Sequence, residues 1–174
     1  MIKIRKESIE VLYLEEQVVA VDAADLDELK RLALLNPRQR VRLCTHRTPD
    51  DALHEMIIVH TRGCYVRPHK HLGKSESMTV LEGIVDVVLF NEDGTIRDVV
   101  EMGEPGTGRA FYQRLSDPIY HMLLIRSDFL VFQETTGGPF VRENTVFPAW
   151  APADAGDAPA EFMKRIELLI SERG

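Results

Sequence analysis

Apolar residues in this chain change their period twice. Between Asp25 and Leu35 they recur at helical spacing, with Leu26, Leu29, Leu32, Ala33 and Leu35 on one side. From Val41 to Gln133 they fall into short runs broken by turn residues, the pattern of strands. From Ala160 to Glu172 the helical spacing returns, carried by Phe162, Met163, Ile166, Leu169 and Ile170. A short α/β segment, a β-rich body and a closing helix are therefore expected.

The strand expectations are specific. Residues 9–21 read as two short strands around a polar turn at Glu15 to Gln17. Asp22 or Asp25 caps the first helix, and Asn36-Pro37 ends it. Further strands are expected at Val41 to Cys44, Glu55 to Thr61, Tyr65 to His71, Ser77 to Leu81, Ile84 to Phe90, Ile96 to Val100, His121 to Ile125 and Phe129 to Gln133. Asn91 to Gly94 joins two of them as a hairpin turn, and Glu101 to Arg109 reads as a loop. Many short strands with frequent turns indicate a sandwich or barrel. The chain then divides into an N-terminal extension over 1–40, a β-barrel over 41–140, and an irregular tail with its helix over 141–174, all in one domain.

Composition narrows the function classes. With 174 residues, 44% hydrophobic and 28% charged, the chain can bury a core without disulfides. A net charge of −7 with no basic stripe speaks against nucleic acid and against anionic membranes. No run approaches the ~20 apolar residues of a membrane span, and the first residues lack a signal peptide's apolar run. The expected compartment is the cytoplasm. Cys44 and Cys64 have no paired metal spacing and are expected as reduced thiols.

The chemistry concentrates between Gly63 and Gly83. His69 and His71 project from the same side of an extended strand, because side chains alternate with period two. A turn at Gly73-Lys74-Ser75 lets the next strand return and brings Glu76 beside both imidazoles. Two imidazoles and a carboxylate around one point suit one divalent transition metal ion: Fe, Mn, Ni, Co or Zn. Three ligands leave such an ion short of partners, and His121, where a loop enters an apolar strand, is the candidate fourth. The same alternation puts Tyr65 and Arg67 on the face of His69 and His71. Arg67 could grip a carboxylate or phosphate, or could pair with Glu134 across the barrel. Lys74 in the turn supplies a second positive group or a solvated charge. Glu134 is a candidate general base and Tyr65 a candidate catalytic hydroxyl. His46 is a candidate substrate contact or support for a metal ligand. His54 and His60 read as surface or cross-strand residues, and Trp150 as a cover for the barrel.

The spacing Gly63, His69-x-His71, Glu76, Gly83 resembles the first signature motif of the cupin superfamily. That resemblance implies a mainly β fold, the cupin-type double-stranded β-helix or jelly-roll barrel, with metal inside it and a further histidine from a second motif. His121 stands in that motif's place, although Pro118 precedes it by three residues and the usual glycine is absent. Asn36 to Arg40, His46, Tyr65 to His71, Lys74, Glu76, Glu134 to Phe140 and Phe147 to Pro152 further resemble the WbuC family of cupin-fold metalloproteins. Tyr120 keeps the aromatic residue which that family carries before this histidine, and joins the candidate substrate-binding residues. The resemblance implies a small polar or anionic substrate such as a nucleotide sugar in surface-polysaccharide biosynthesis. Isomerase, epimerase or dioxygenase chemistry, or a non-catalytic sensing role, are all compatible with it. A small-molecule ligand and a homodimer are the expected partners.

Overall fold

The computed structural model describes residues 3–173. Twelve strands and two α-helices follow one another: β1 Ile4–Lys6, β2 Val11–Leu14, α1 Ala23–Leu35, β3 Arg40–Cys44, β4 Leu53–Thr61, β5 Lys70–His71 and β6 Glu76–Glu82. After these come β7 Ile84–Phe90, β8 Ile96–Gly103, β9 Tyr112–Leu115, β10 Tyr120–Ile125, β11 Phe129–Gly137, β12 Thr145–Val146 and α2 Ala158–Ser171. A seven-stranded sheet has the order β1-β2-β3-β4-β11-β6-β9, and faces a three-stranded sheet β10-β7-β8 and the pair β12-β5. This is the cupin-type β-barrel with an N-terminal extension and a C-terminal helix.

Three apolar clusters account for the layering. The barrel interior is filled by residues such as Met56, Ile58, Val80, Val85, Val87, Leu123, Leu130 and Phe132 from both sheets. The large sheet's other face, with Leu12, Leu14, Val41, Leu43, Val59 and Val131, is covered by Leu29 and Ala33 of α1. The small sheet's other face, with Val88, Phe90, Met122 and Leu124, is covered by Phe162 and Ile166 of α2. Strands β7 and β10 are buried on both faces, which explains apolar runs interrupted only by buried Asp86 in β7 and His121 in β10.

Helix α1 starts on a capping box, with Asp22 accepting from the Asp25 amide and Asp25 from the Asp22 amide, and it stops at Asn36 before Pro37. The turn at residues 91–95 closes the β7–β8 hairpin as expected, with Asn91 accepting from the Gly94 amide. Gly83 stands at φ 93° where the chain leaves one sheet for the other, and a Cβ there would run into the Phe129 carbonyl.

Several expectations need correction. Val18 to Val21 form no strand, and Val18 is 83% exposed. Instead β2 pairs antiparallel with the earlier β1 and parallel with β3, because the turn at Ser8 folds the chain back. Leu35 and Leu169 point to solvent rather than the core, since each lies at the border of its helix's narrow apolar stripe. Strand β8 continues to Gly103, shortening the expected loop. Strand β9 was hidden by its polar composition, and β12 by its two-residue length. Tyr65 to His71 is a strand only at Lys70–His71, with one isolated bridge between His69 and His121.

Candidate metal centre

Three elements bring the ligand candidates together. His69 and His71 lie on the rung formed by β5 and its bridge to β10, His121 is the second residue of β10, and Glu76 opens β6 after the Gly73 turn. One nitrogen of each of His69, His71 and His121 lies within 4.8 Å of the other two. Glu76 closes the group: Oε1 is 3.0 Å from His121 Nε2 and Oε2 is 3.4 Å from His71 Nε2.

Hydrogen bonds behind the rings fix which nitrogen faces inward. His69 Nδ1 donates to the Arg67 carbonyl at 2.8 Å, and His121 Nδ1 donates to the Ile119 carbonyl at 3.0 Å. A carbonyl only accepts, so both Nδ1 atoms carry hydrogen and both Nε2 atoms present lone pairs. His71 Nδ1 is 3.1 Å from the Thr145 hydroxyl, brought there by the β12–β5 pairing. Burial depresses the pKa of His69 and of His71 to about 3 and lowers that of His121, which keeps all three neutral. Neutral imidazole is the metal-binding form. A lone pair on His121 Nε2 then faces a carboxylate oxygen 3.0 Å away, an arrangement that calls for a cation or a proton between them. The donor set and its spacing fit a divalent transition metal, whose ligand atoms at ~2.1 Å crowd to about this separation.

The group lines a cavity of about 510 Å³ inside the barrel. Glu134 also lines it, on β11 two residues from Thr136, the register partner of Glu76. Burial first, and then the negative charge of Glu76, hold the Glu134 carboxyl well above the usual range; burial does the same to Glu76, against the pull of Lys74. Lys74 and Arg67 line the cavity as well. Arg67 donates to the Ala151 carbonyl at 3.1 Å and lies over the Phe147 ring at 4.8 Å. Among the described residues it forms no ion pair with Glu134.

Tyr65 and Tyr120 are not among the residues lining this cavity. Tyr65 packs on Phe162 and donates its hydroxyl to the Pro152 carbonyl at 3.0 Å, and burial pushes its pKa to about 12. The period-two argument failed there because residues 64–68 have no strand partner to impose a pleat. Tyr120 packs against Trp150 on the side of α2, with the Lys70 ammonium 4.3 Å from its ring. Trp150 covers the barrel, as expected, and donates to the Glu92 carbonyl at 3.0 Å. Buried Cys44 and Cys64 are free thiols pushed up to about 11 and about 12 by desolvation, so neither is a ready nucleophile.

His46 lines the cavity, and so do His54 and His60, expected as surface or cross-strand residues and found as cross-strand residues of β4. Their exposures are 9%, 5% and 7%. Thr145 was missed altogether; only the β12–β5 pairing reveals it.

Comparison with known proteins places this geometry in context. Residues 21–102 match the family model described as a domain of unknown function, DUF6016. No curated protein matches. Among solved structures, the capsular polysaccharide assembling protein CapF from Staphylococcus aureus is similar at 16% identity and a TM-score of 0.52, over 65% of this chain and 32% of that one. An oxalate oxidase in complex with the substrate analogue glycolate aligns at 11% identity and a TM-score of 0.48, over 64% of this chain and 56% of that one. Protein SO0799 from Shewanella oneidensis aligns at 9% identity and a TM-score of 0.47, over 59% of this chain and 66% of that one. This chain thus spans less than two thirds of each of these structures. The likeness is one of fold. No helix of the described residues is long and apolar enough to cross a membrane.

Proposed function

We propose that this protein is a metal-dependent enzyme acting on a small polar or anionic substrate, with one divalent transition metal ion held by His69, His71, Glu76 and His121. The observation that carries this reading is the meeting of one nitrogen each from His69, His71 and His121, with Glu76 beside two of them, His121 and His71, and an oxygen behind each Nδ1. A bound ion would supply Lewis-acid polarisation of a substrate oxygen. Glu134, with its carboxyl raised toward neutrality, takes or returns a proton at that end of the cavity. Arg67 and Lys74 attract and orient the anionic substrate. Phe140 and Phe147 line the cavity while half exposed, so they stand at its mouth and limit water.

The likeness to the WbuC family adds a narrower form of the proposal, a nucleotide sugar of surface-polysaccharide assembly. A purely structural metal is disfavoured, because such sites are usually closed by thiolates and this barrel has an ample core. Elemental analysis of natively purified protein tests the metal, which should be near stoichiometric and lost in His69→Ala. Incubation of metal-loaded protein with candidate nucleotide sugars, followed by mass spectrometry, tests turnover. Binding without product would reassign the protein as a ligand-sensing module.

A further inference from the structure

The cavity continues well past the metal ligands. Thr136 pairs with Glu76 on one side and with His54 on the other, so Glu76, Thr136 and His54 form one row across β6, β11 and β4 on the inner face. At the usual strand spacing, His54 stands about 10 Å from Glu76. His46 lies flat on His54, with centroids 4.1 Å apart and ring planes at 2°. Arg42, on β3, lines the same cavity, in register with Ile58 four residues along β4 from His54, and its charge acts on Tyr13, Cys44, His46, His60 and Glu134.

Hydrogen bonding decides what this end offers a ligand. Both backbone groups of Glu55 meet His46 Nδ1, the carbonyl at 3.1 Å and the amide at 3.2 Å; the carbonyl already accepts from the Thr45 amide and hydroxyl at 2.9 and 3.0 Å, which leaves the amide as the donor to Nδ1. His46 Nδ1 is therefore the acceptor, and Nε2 carries a hydrogen with no partner among the described residues. Arg38 and Arg40 are tied to Glu10 at 3.2 and 3.0 Å. Arg42, by contrast, forms no ion pair among the described residues, and neither do Arg67, Arg142 and Lys74 in the same cavity. Four free cations in one cavity stand out in a chain of net charge −7. Three buried polar atoms lack any partner: Nδ1 of His60, Nε of Arg67 and Oε1 of Gln113. All three residues line this cavity. Such groups are costly to bury unless something polar meets them.

We infer that the cavity takes an elongated organic anion with two separated polar ends. Oxygen donors sit at the metal ligands, and a terminal phosphate or carboxylate sits at a second pole made by Arg42 and His46, about two strands away. The inference rests on the metal reading above and extends it to the shape and charge of the ligand. A guanidinium and an imidazole N–H match a terminal anion, which each can approach from a different side.

Calorimetric titration of cobalt-loaded protein with gluconate, glucarate and 6-phosphogluconate tests this, since the three share a chain and differ at its far end. Glucarate, 6-phosphogluconate or both should bind at least 10-fold tighter than gluconate, and their ranking distinguishes a carboxylate from a phosphate terminus. Arg42→Gln should erase that advantage and leave gluconate affinity unchanged; Arg42 is exposed, so its replacement leaves the core intact. Equal binding of all three, no binding of any, or an advantage that survives both Arg42→Gln and His46→Gln would overturn the second pole. Failure of the protein to retain cobalt would sink the metal reading instead. In that event Arg42-dependent binding of inorganic phosphate to metal-free protein upholds the second pole, and its absence overturns it.

Discussion

Two sets of three histidines line one cavity and do different work. His69, His71 and His121 each have an oxygen behind Nδ1 and meet at Nε2 beside Glu76. His46, His54 and His60 share the cavity and are all buried, whereas His69 and His71 are partly buried, yet the second set does not converge. His46 is fixed through Glu55, His54 through the Pro49 carbonyl at 3.1 Å, and His60 sits edge-on to Phe132 with Nδ1 unpartnered. Burial lowers the pKa of His46 and His60, as it does those of the first set. What separates them is whether the backbone aims the free nitrogens at one point.

Breaking the first set has the largest expected effect. His69→Ala should lower metal affinity by more than about 100-fold, beyond the loss typical of a supporting hydrogen bond. His54→Gln should keep full metal content. Elemental analysis checks both, and equal loss in the two variants would erase the distinction between the sets.

Thr145 sharpens the contrast next. Thr145→Val removes the oxygen behind His71 and should weaken metal binding by about 10- to 100-fold, while Thr145→Ser should restore it. Titration against a competing chelator measures the difference.

Glu76 gives a pH dependence whose sign follows from its raised carboxyl. A carboxyl that titrates higher in the folded protein than in the unfolded chain costs stability as pH rises through the folded value. Stripped of metal, Glu76→Gln should therefore melt higher than the parent at pH 8 and no higher at pH 4. The gain is about 1.4 kcal/mol for each unit by which the carboxyl is raised. Metal affinity of the parent should climb over the same window, as Glu76 surrenders its proton.

The other set answers pH in the opposite direction. His60 is held neutral down to about pH 3, whereas the unfolded chain takes up the proton near 6.5. Stability contributed by this ring is present above pH 6.5 and drains away as pH falls toward 3, at no more than about 1.4 kcal/mol per pH unit. His60→Gln should flatten that part of an acid-melting curve and leave metal content unchanged.

Local signals in the chain reached far. The Asp22–Asp25 box, the turn after Asn91, and the apolar runs of β7 and β10 can be read from neighbours in sequence, because caps, turns and burial on both faces leave their mark within a few residues. The ligand candidates His69, His71 and Glu76 were legible for the same reason, being joined by one short turn. Tyr65 shows the limit. Alternation holds only where a partner strand enforces the pleat, and none does at residues 64–68. Strand β9, with its polar Gln113 and Arg114, has no apolar signature and exists because β6 offers an edge.

The amino-acid order alone determined a β-rich chain bracketed by two helices, with His69, His71 and Glu76 as the densest chemistry. Tertiary structure decided everything that depends on strands far apart in sequence lying side by side. It put the Thr145 hydroxyl behind His71, buried His54 and His60, turned Tyr65 and Tyr120 out of the cavity, and set Arg42 on the wall of the cavity that holds the metal ligands. Register across the large sheet is a long-range property, fixed by which apolar faces must be buried together, and no local pattern encodes it.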